Sequence, residues 1–229
     1  MTAGEDLKAR VHRLVDELSD LIDDVTVVGG TSPALYQLND TVAVRPTRDI
    51  DLIVRTKSLL EWHRFVRRLQ IRGFHYPTGE PICRYAKGDL IIDVMPSDID
   101  QLGFGNRWYE EAALHRMRSP IPGLHVVTPM YFVATKLDAF EDRGADNPMM
   151  SHDLEDIFVV LRGLPLLFNE IERGIDDVHA EVRRQLRDFC RRSDALDLVS
   201  SMLEGDAVTQ ALAPRLLARL RRACGAARG

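Results

Sequence analysis

Apolar residues recur every three or four positions over residues 5–24: Leu7, Val11, Leu14, Val15, Leu18, Leu21 and Ile22. That spacing predicts an amphipathic helix. The pattern then changes to a short apolar run, Val25-Thr26-Val27-Val28, which reads as a buried strand. Gly29–Ser32 turns the chain. A helix is expected to begin over residues 33–38, with Ser32 as its cap and Pro33 in the first position. A second strand is expected at Asp49–Val54, then a helix over 58–71 with Leu59, Trp62, Phe65, Val66 and Leu69 on one face. Gly73-Phe74 stops that helix. Strands follow over 82–86 and 90–95, joined by the turn residues Lys87-Gly88-Asp89, and another lies over 124–127. Thr128-Pro129 opens a helix that runs to Arg143 and ends at Gly144. Residues 144–150 read as a loop. Ser151 caps a further helix to Arg162, with Asp153, Glu155 and Asp156 in its first turns, where the helix dipole favours acids. The chain from Pro165 onward reads as helical, with breaks near Gly174, Ser193 and Gly205.

Strands gathered in the first half and helices in the second imply an α+β fold. The expected architecture is a mixed β-sheet flanked by helices, with a C-terminal helical region. The division is an α/β core over 1–127 and a helical part over 128–229 that completes the active site. At 229 residues a sizeable core is available. The formal net charge of −5 gives no global basic field to draw in nucleic acid. The charge is uneven, however: residues 164–229 hold 11 basic side chains, all arginine, against 10 acidic ones. Arg183, Arg184, Arg187, Arg191 and Arg192 are spaced along one helix and are candidates to touch RNA phosphates, or simply form a solvated face. Cys83, Cys190 and Cys224 lie far apart, without the paired spacing of a zinc site or a disulfide framework. No stretch of 18 apolar residues and no signal-peptide pattern occurs, so a cytoplasmic protein with no membrane contact is expected.

Two features carry chemistry. In the strand Asp49-Ile50-Asp51-Leu52, alternation puts Asp49 and Asp51 on one face and Ile50 and Leu52 on the other. Two acids side by side repel by about 4 kcal/mol at about 4 Å and an effective dielectric near 20, so such a pair calls for a cation. Asp93 is a lone carboxylate in the apolar strand Leu90-Ile91-Ile92-Asp93-Val94, where charge is costly unless partnered. If the two strands are neighbours, Asp49, Asp51 and Asp93 meet at one sheet edge and suit two Mg²⁺ (or Mn²⁺) ions in an in-line phosphoryl displacement. Gly29 and Gly30 stand beside them, offering backbone N–H groups to a phosphate.

The ordered set Gly29-Gly30-Thr31-Ser32, Arg45-Pro46-Thr47-Arg48-Asp49-Ile50-Asp51 and Asp93 resembles the DNA polymerase β-like nucleotidyltransferase superfamily. The chain looks closest to the AbiEii/AbiGii-type toxin branch, with Lys136 in Ala134-Thr135-Lys136-Leu137-Asp138 and a later run His152-Asp153-Leu154-Glu155-Asp156-Ile157. His152 stands where that branch has a basic residue. The resemblance covers residues 25–160. It implies that Gly30, Thr31 and Ser32 bind the β- and γ-phosphates of a nucleoside triphosphate (NTP). Asp49, Asp51 and Asp93 would be metal ligands, with Asp93 also the base for the acceptor hydroxyl. Lys136 would contact the triphosphate, Asp153 would orient Lys136 or the nucleotide, and Asp156 would support them. It further implies a phage-defence toxin acting on tRNA 3′ ends, partnered by a cognate antitoxin. Acceptors in relatives also include small molecules and protein side chains.

The same residues admit plainer roles. Asp49 could cap a turn, Asp51 could pair with Arg48 or Arg55, and Asp93 could pair with Arg84 on a neighbouring strand. Lys136 could lie on a helix surface, and Asp153 and Asp156 could serve only their helix N-terminus. His152 and Asp156, four apart, have the spacing of a metal pair. A non-catalytic module that binds nucleotide or a partner protein is the rival from another class.

Overall fold

The computed structural model describes residues 3–39, 42–98, 105–203 and 207–226. The chain is a mixed α+β protein and divides into two compact units, Met1–Tyr36 with Val44–Thr128, and Gln37–Ala43 with Pro129–Gly229.

The first unit holds a six-stranded mixed sheet. Its elements are α1 (Ala3–Leu18), β1 (Val25–Val28), β2 (Asp49–Val54), α2 (Leu59–Ile71), β3 (Arg84–Lys87), β4 (Leu90–Pro96), α3 (Tyr109–Leu114), β5 (Met117–Arg118) and β6 (His125–Val126). The strand order is β3-β4-β2-β1-β6-β5. β2 runs antiparallel to β1 and parallel to β4, with α2 and β3 inside the crossover. In the β2–β4 register Asp51 stands opposite Asp93 and Ile50 opposite Ile92. Ile50, Leu52, Ile92 and Val94 are fully buried. Asp49, Asp51 and Asp93 sit on the other face and are half-buried.

Local chemistry accounts for departures from the sequence pattern. The helix expected over 5–24 stops at Leu18, because Ser19 has a positive φ of 51° that interrupts the α ladder. A tighter 3-10 turn over Ser19–Asp24 continues the chain and still buries Leu21 and Ile22. The helix expected over 33–38 is instead a 3-10 segment, Gly29–Leu35, with Pro33 inside it. The strand expected over 82–86 begins two residues later: the Arg84 N–H donates to the Pro81 carbonyl at 2.8 Å in a turn, and Ile82 is exposed. Lys87 pairs with Leu90, so Gly88 and Asp89 form a two-residue hairpin turn, with Gly88 at φ 63°. On α2 the Ser58 hydroxyl caps the helix by accepting from the Glu61 N–H at 3.3 Å. Trp62, Phe65 and Leu69 are its buried stripe, while Leu59 is exposed. α3 and β5 have no forerunner in the pattern, because six and two residues are too few to display a period.

The second unit is helical: α4 (Pro129–Arg143), α5 (His152–Gly163), α6 (Leu167–Arg173), α7 (Asp177–Cys190), α8 (Ala195–Met202), α9 (Ala207–Gln210) and α10 (Ala213–Ala223). Ser151 caps α5 through the Leu154 N–H. The break expected near Gly205 lies outside the described residues. The C-terminal ends of α7 and α10 meet and cap each other. Arg187 Nε donates to the Cys224 carbonyl at 3.0 Å, and Arg221 Nη2 to the Cys190 carbonyl at 3.4 Å. Cys190 and Cys224, far apart in sequence, are buried free thiols with sulfurs 4.0 Å apart.

The first unit is not the contiguous 1–127 expected from sequence, since Gln37–Ala43 clusters with the helices. The Asn39 N–H donates to the Gly163 carbonyl at 3.2 Å, and Leu38 packs where a side chain at Gly163 would go. Among the described residues no helix is long and apolar enough to cross a membrane. A Cβ at Gly163 would stand 2.8 Å from Leu38 Cδ2. Gly163→Val is therefore expected to expel the Leu38 strap and destabilise the chain by about 1–3 kcal/mol in urea unfolding. An unchanged midpoint would contradict this packing.

Candidate active site

Three carboxylates converge on the half-buried face of β2 and β4, and one guanidinium holds two of them. Arg84 lies opposite Asp93 in the β3–β4 register. Its Nε donates to Asp93 Oδ1 at 2.8 Å and its Nη2 to Asp93 Oδ2 at 2.7 Å. The same Nη2 also donates to Asp49 Oδ2 at 2.5 Å. Asp49 and Asp93 thus share a single donor nitrogen, and their oxygens stand no further apart than those two bonds laid end to end. Nη1 turns outward to Glu80 Oε2 at 3.0 Å. The Arg84 side chain is 22% exposed and that of Asp93 13%, so water screens this cluster only in part. The hydrogen bonds from Arg84 to Asp93 outweigh burial and hold the guanidinium pKa above its ordinary value.

Neighbouring groups fix the positions of the acids. The Thr47 hydroxyl donates to Asp49 Oδ1 at 3.0 Å, orienting that carboxylate. Arg10, on α1, clamps the entrance to β2 by donating to the carbonyls of Thr47, at 2.7 Å, and Arg48. Gly29 follows Val28, the β1 partner of Asp51, and has a φ of 62°. A Cβ there would stand 2.6 Å from Asp51 Cγ and closer still to its Oδ2. Only glycine satisfies both the left-handed backbone and that contact. Cys83 lies close enough to Asp93 and Asp51 for their charges to act on it. Burial first, and those carboxylates second, push its thiol up to about 11, so it remains protonated at neutral pH.

The Gly29–Ser32 turn differs from the expected phosphate cradle. Gly30, Thr31 and Ser32 are buried, Thr31 and Ser32 completely. The Thr31 hydroxyl donates to the Asp49 carbonyl at 3.3 Å, tying the turn to β2. Burial withdraws the Thr31 and Ser32 hydroxyls from solvent.

Lys136, Asp153 and Asp156 meet in the helical unit. Lys136 and Arg143 lie seven apart on one face of α4, and Asp153 and Asp156 lie three apart on one face of α5. Lys136 Nζ is 2.9 Å from Asp153 Oδ1 and 2.7 Å from Asp156 Oδ2, and Arg143 forks onto Asp153 at 3.0 Å. Lys136 is 8% exposed, which overturns the helix-surface alternative. Burial alone would lower the Lys136 pKa, but the charges of Asp156 and Asp153 overcome this and hold it above the ordinary value. Burial likewise works to raise Asp153, and Arg143 and Lys136 together bring it below the usual carboxylate range. His152 turns to Glu155, at 3.1 Å, rather than to Asp156.

The α7 arginines do not form an open basic stripe. Arg183 donates to the carbonyls of Ile171 and Gly174, both at 2.7 Å, and Arg187 to that of Cys224. Arg184 pairs with Glu181, Asp188 and Glu141, Arg191 with Asp188, and Arg192 with Asp194.

In this arrangement no three His, Cys, Asp or Glu side chains among the described residues form a ready metal group. The Arg84 fork bridges Asp49 and Asp93. The donor set itself, three hard oxygen ligands on one strand face, fits a hard divalent ion once the guanidinium turns away. Arg84 was visible in the sequence as a pairing alternative for Asp93. Glu80, Arg10 and Arg143 gave no such signal, because their roles depend on long-range packing. No family model matches the chain, and no curated protein matches it.

Gly29 and Gly79 provide a controlled comparison. Both have positive φ, and a Cβ at Gly79 would meet nothing within 4 Å. Alanine at either position should cost about 1 kcal/mol of backbone strain. Gly29→Ala should lose at least about 1–2 kcal/mol more through collision with Asp51. Equal denaturation midpoints would contradict the contact. The helical network predicts a pH signature as well. The lowered Asp153 pKa contributes stability above the unfolded carboxylate value near 3.9, lost as pH falls through the folded value. The raised Lys136 pKa contributes stability below the unfolded value near 10.4, lost as pH rises through the folded value. The stability gap between wild type and Lys136→Met should narrow as pH falls, because Asp153, left without the ammonium, takes up protons more readily in the variant, and it should narrow again above about pH 10. A gap that stays constant down to about pH 4 would contradict the pairing.

Proposed function

We propose that this chain is a divalent-ion-dependent nucleotidyltransferase that moves a nucleoside monophosphate from an NTP to an acceptor hydroxyl. One observation carries the reading: Asp51 is registered directly opposite Asp93, with Asp49 on the same face and glycine packed against Asp51. Asp49, Asp51 and Asp93 put hard oxygen donors on one face of two neighbouring strands, the donor type a divalent ion takes.

On this reading Asp49, Asp51 and Asp93 would hold Mg²⁺ or Mn²⁺, which neutralises triphosphate charge in an in-line displacement. Asp93 accepts the proton of the acceptor hydroxyl. The hydroxyl oxygen bonds to the α-phosphorus, the bond to the β-phosphate breaks, and pyrophosphate leaves. Main-chain N–H groups at Gly29 and Gly30 meet the phosphates. Within the helical unit, Asp153 and Asp156 hold Lys136 charged. The acceptor class rests on the sequence resemblance alone, which makes an RNA 3′-hydroxyl the first to test. The α7 arginines lend it no support, since their guanidiniums are engaged within the chain.

The fork from Arg84 onto Asp49 and Asp93 favours a second reading, a non-catalytic module whose acids serve a salt bridge. Pyrophosphate release separates the two. Incubation with each labelled NTP, Mg²⁺, total RNA and total protein should transfer label to one macromolecular fraction and release pyrophosphate. Asp93→Asn should slow release by about 100-fold or more, the scale of a lost general base. Full turnover in that variant, or none in the wild type with any NTP, would contradict the proposal.

A further inference from the structure

Arg84 occupies the place where a cation between Asp49 and Asp93 would have to sit. Its fork uses Nε and Nη2 on Asp93 and the same Nη2 on Asp49, so both carboxylates are committed to one side chain. A divalent ion drawn between these oxygens would meet the guanidinium that bridges them, and like charges at that range repel. The geometry also provides a way out. Nη1 is already bonded to Glu80, and the Glu80 side chain is 44% exposed, on the solvent side of the cluster. Glu80 and Arg84 lie four apart, a spacing that lets the guanidinium stay paired with Glu80 when it leaves the other two acids.

From this we infer that Arg84 is a displaceable counter-ion, closing the carboxylate site in the absence of a divalent cation and swinging toward Glu80 when one binds. The inference rests on the nucleotidyltransferase reading only in taking Asp49, Asp51 and Asp93 as ligands. The physical logic is one of exchange. Without a cation, the guanidinium relieves the repulsion between Asp49 and Asp93. With one, the doubly charged ion does so more fully, and Arg84 keeps a single partner. Metal entry therefore costs the rupture of the Arg84 bonds, which lowers apparent affinity. The site closes and opens without any backbone change.

Mn²⁺ binding to the full chain, with no nucleotide present, reads this directly through the electron paramagnetic resonance of free Mn²⁺. Arg84→Gln should bind at least about tenfold more tightly than wild type, because the charge-assisted hydrogen bonds of Arg84 no longer compete. Arg84→Lys keeps the charge but has a single nitrogen head, so it should bind more tightly by a smaller factor; it remains informative if Arg84→Gln does not fold. Asp93→Asn should remove binding in every background. In wild-type protein the Arg84 Nε–H resonance should shift as Mg²⁺ is added. Equal affinity in wild type, Arg84→Gln and Arg84→Lys, with binding still lost in Asp93→Asn, would overturn the counter-ion role and leave the three acids as a metal site. Absence of Mn²⁺ binding in wild type and both Arg84 variants would overturn the counter-ion role and the metal site together.

Discussion

Asp51 and Asp93 stand opposite each other on parallel strands, and like charges at about 4 Å repel by about 4 kcal/mol at an effective dielectric near 20. Asp49, two residues along the same face, adds a third charge. The opposite face of these strands is fully apolar, with Ile50, Leu52, Ile92 and Val94 in the core, so the register cannot slip to separate the acids. A one-residue shift would bury carboxylates and expose the core. The arrangement is fixed by burial on one side of the sheet and must be neutralised on the other. Arg84 answers that requirement for Asp49 and Asp93, and the Thr47 hydroxyl orients Asp49.

The helical unit solves a related problem in the opposite sense. There a buried ammonium, Lys136, is costly by itself, and two carboxylates with a flanking guanidinium complete a balanced group of two positive and two negative charges. The two clusters differ in exposure. Lys136, Asp153 and Asp156 are nearly dry, with Arg143 at their rim. The sheet-edge group is wetter, with Glu80 adding a further acid on its solvent side.

Much of this was legible in the chain. Alternation alone placed Asp49 and Asp51 on one face, and the cost of a lone acid in an apolar strand singled out Asp93. The helix spanning Pro129–Arg143 and the Ser151 cap were readable from Thr128-Pro129, Gly144 and the acids after Ser151. What escaped was non-local. Ser19 adopts a left-handed backbone that no propensity assigns to serine. Residues 37–43 join the helical unit because Leu38 fits against Gly163, a match between positions 125 apart. The Arg-rich stretch looked like a phosphate-binding face, yet Arg183 and Arg187 reach carbonyls of other segments, while Arg184, Arg191 and Arg192 pair mainly with acids on or beside their own helix. Cys190 and Cys224 touch only because two helix termini meet. The turn glycines were read as a cradle, and Gly29 proves to be required by Asp51 itself.

The central claim is that Asp49, Asp51 and Asp93 form one cation site at the edge of the sheet. A crystal soaked in Mn²⁺, with anomalous scattering collected at a wavelength sensitive to manganese, tests it most directly. The account predicts anomalous density between these three carboxylates, with the Arg84 guanidinium withdrawn toward Glu80. Density absent from that face, with Arg84 still bridging Asp49 and Asp93 at saturating Mn²⁺, would contradict it.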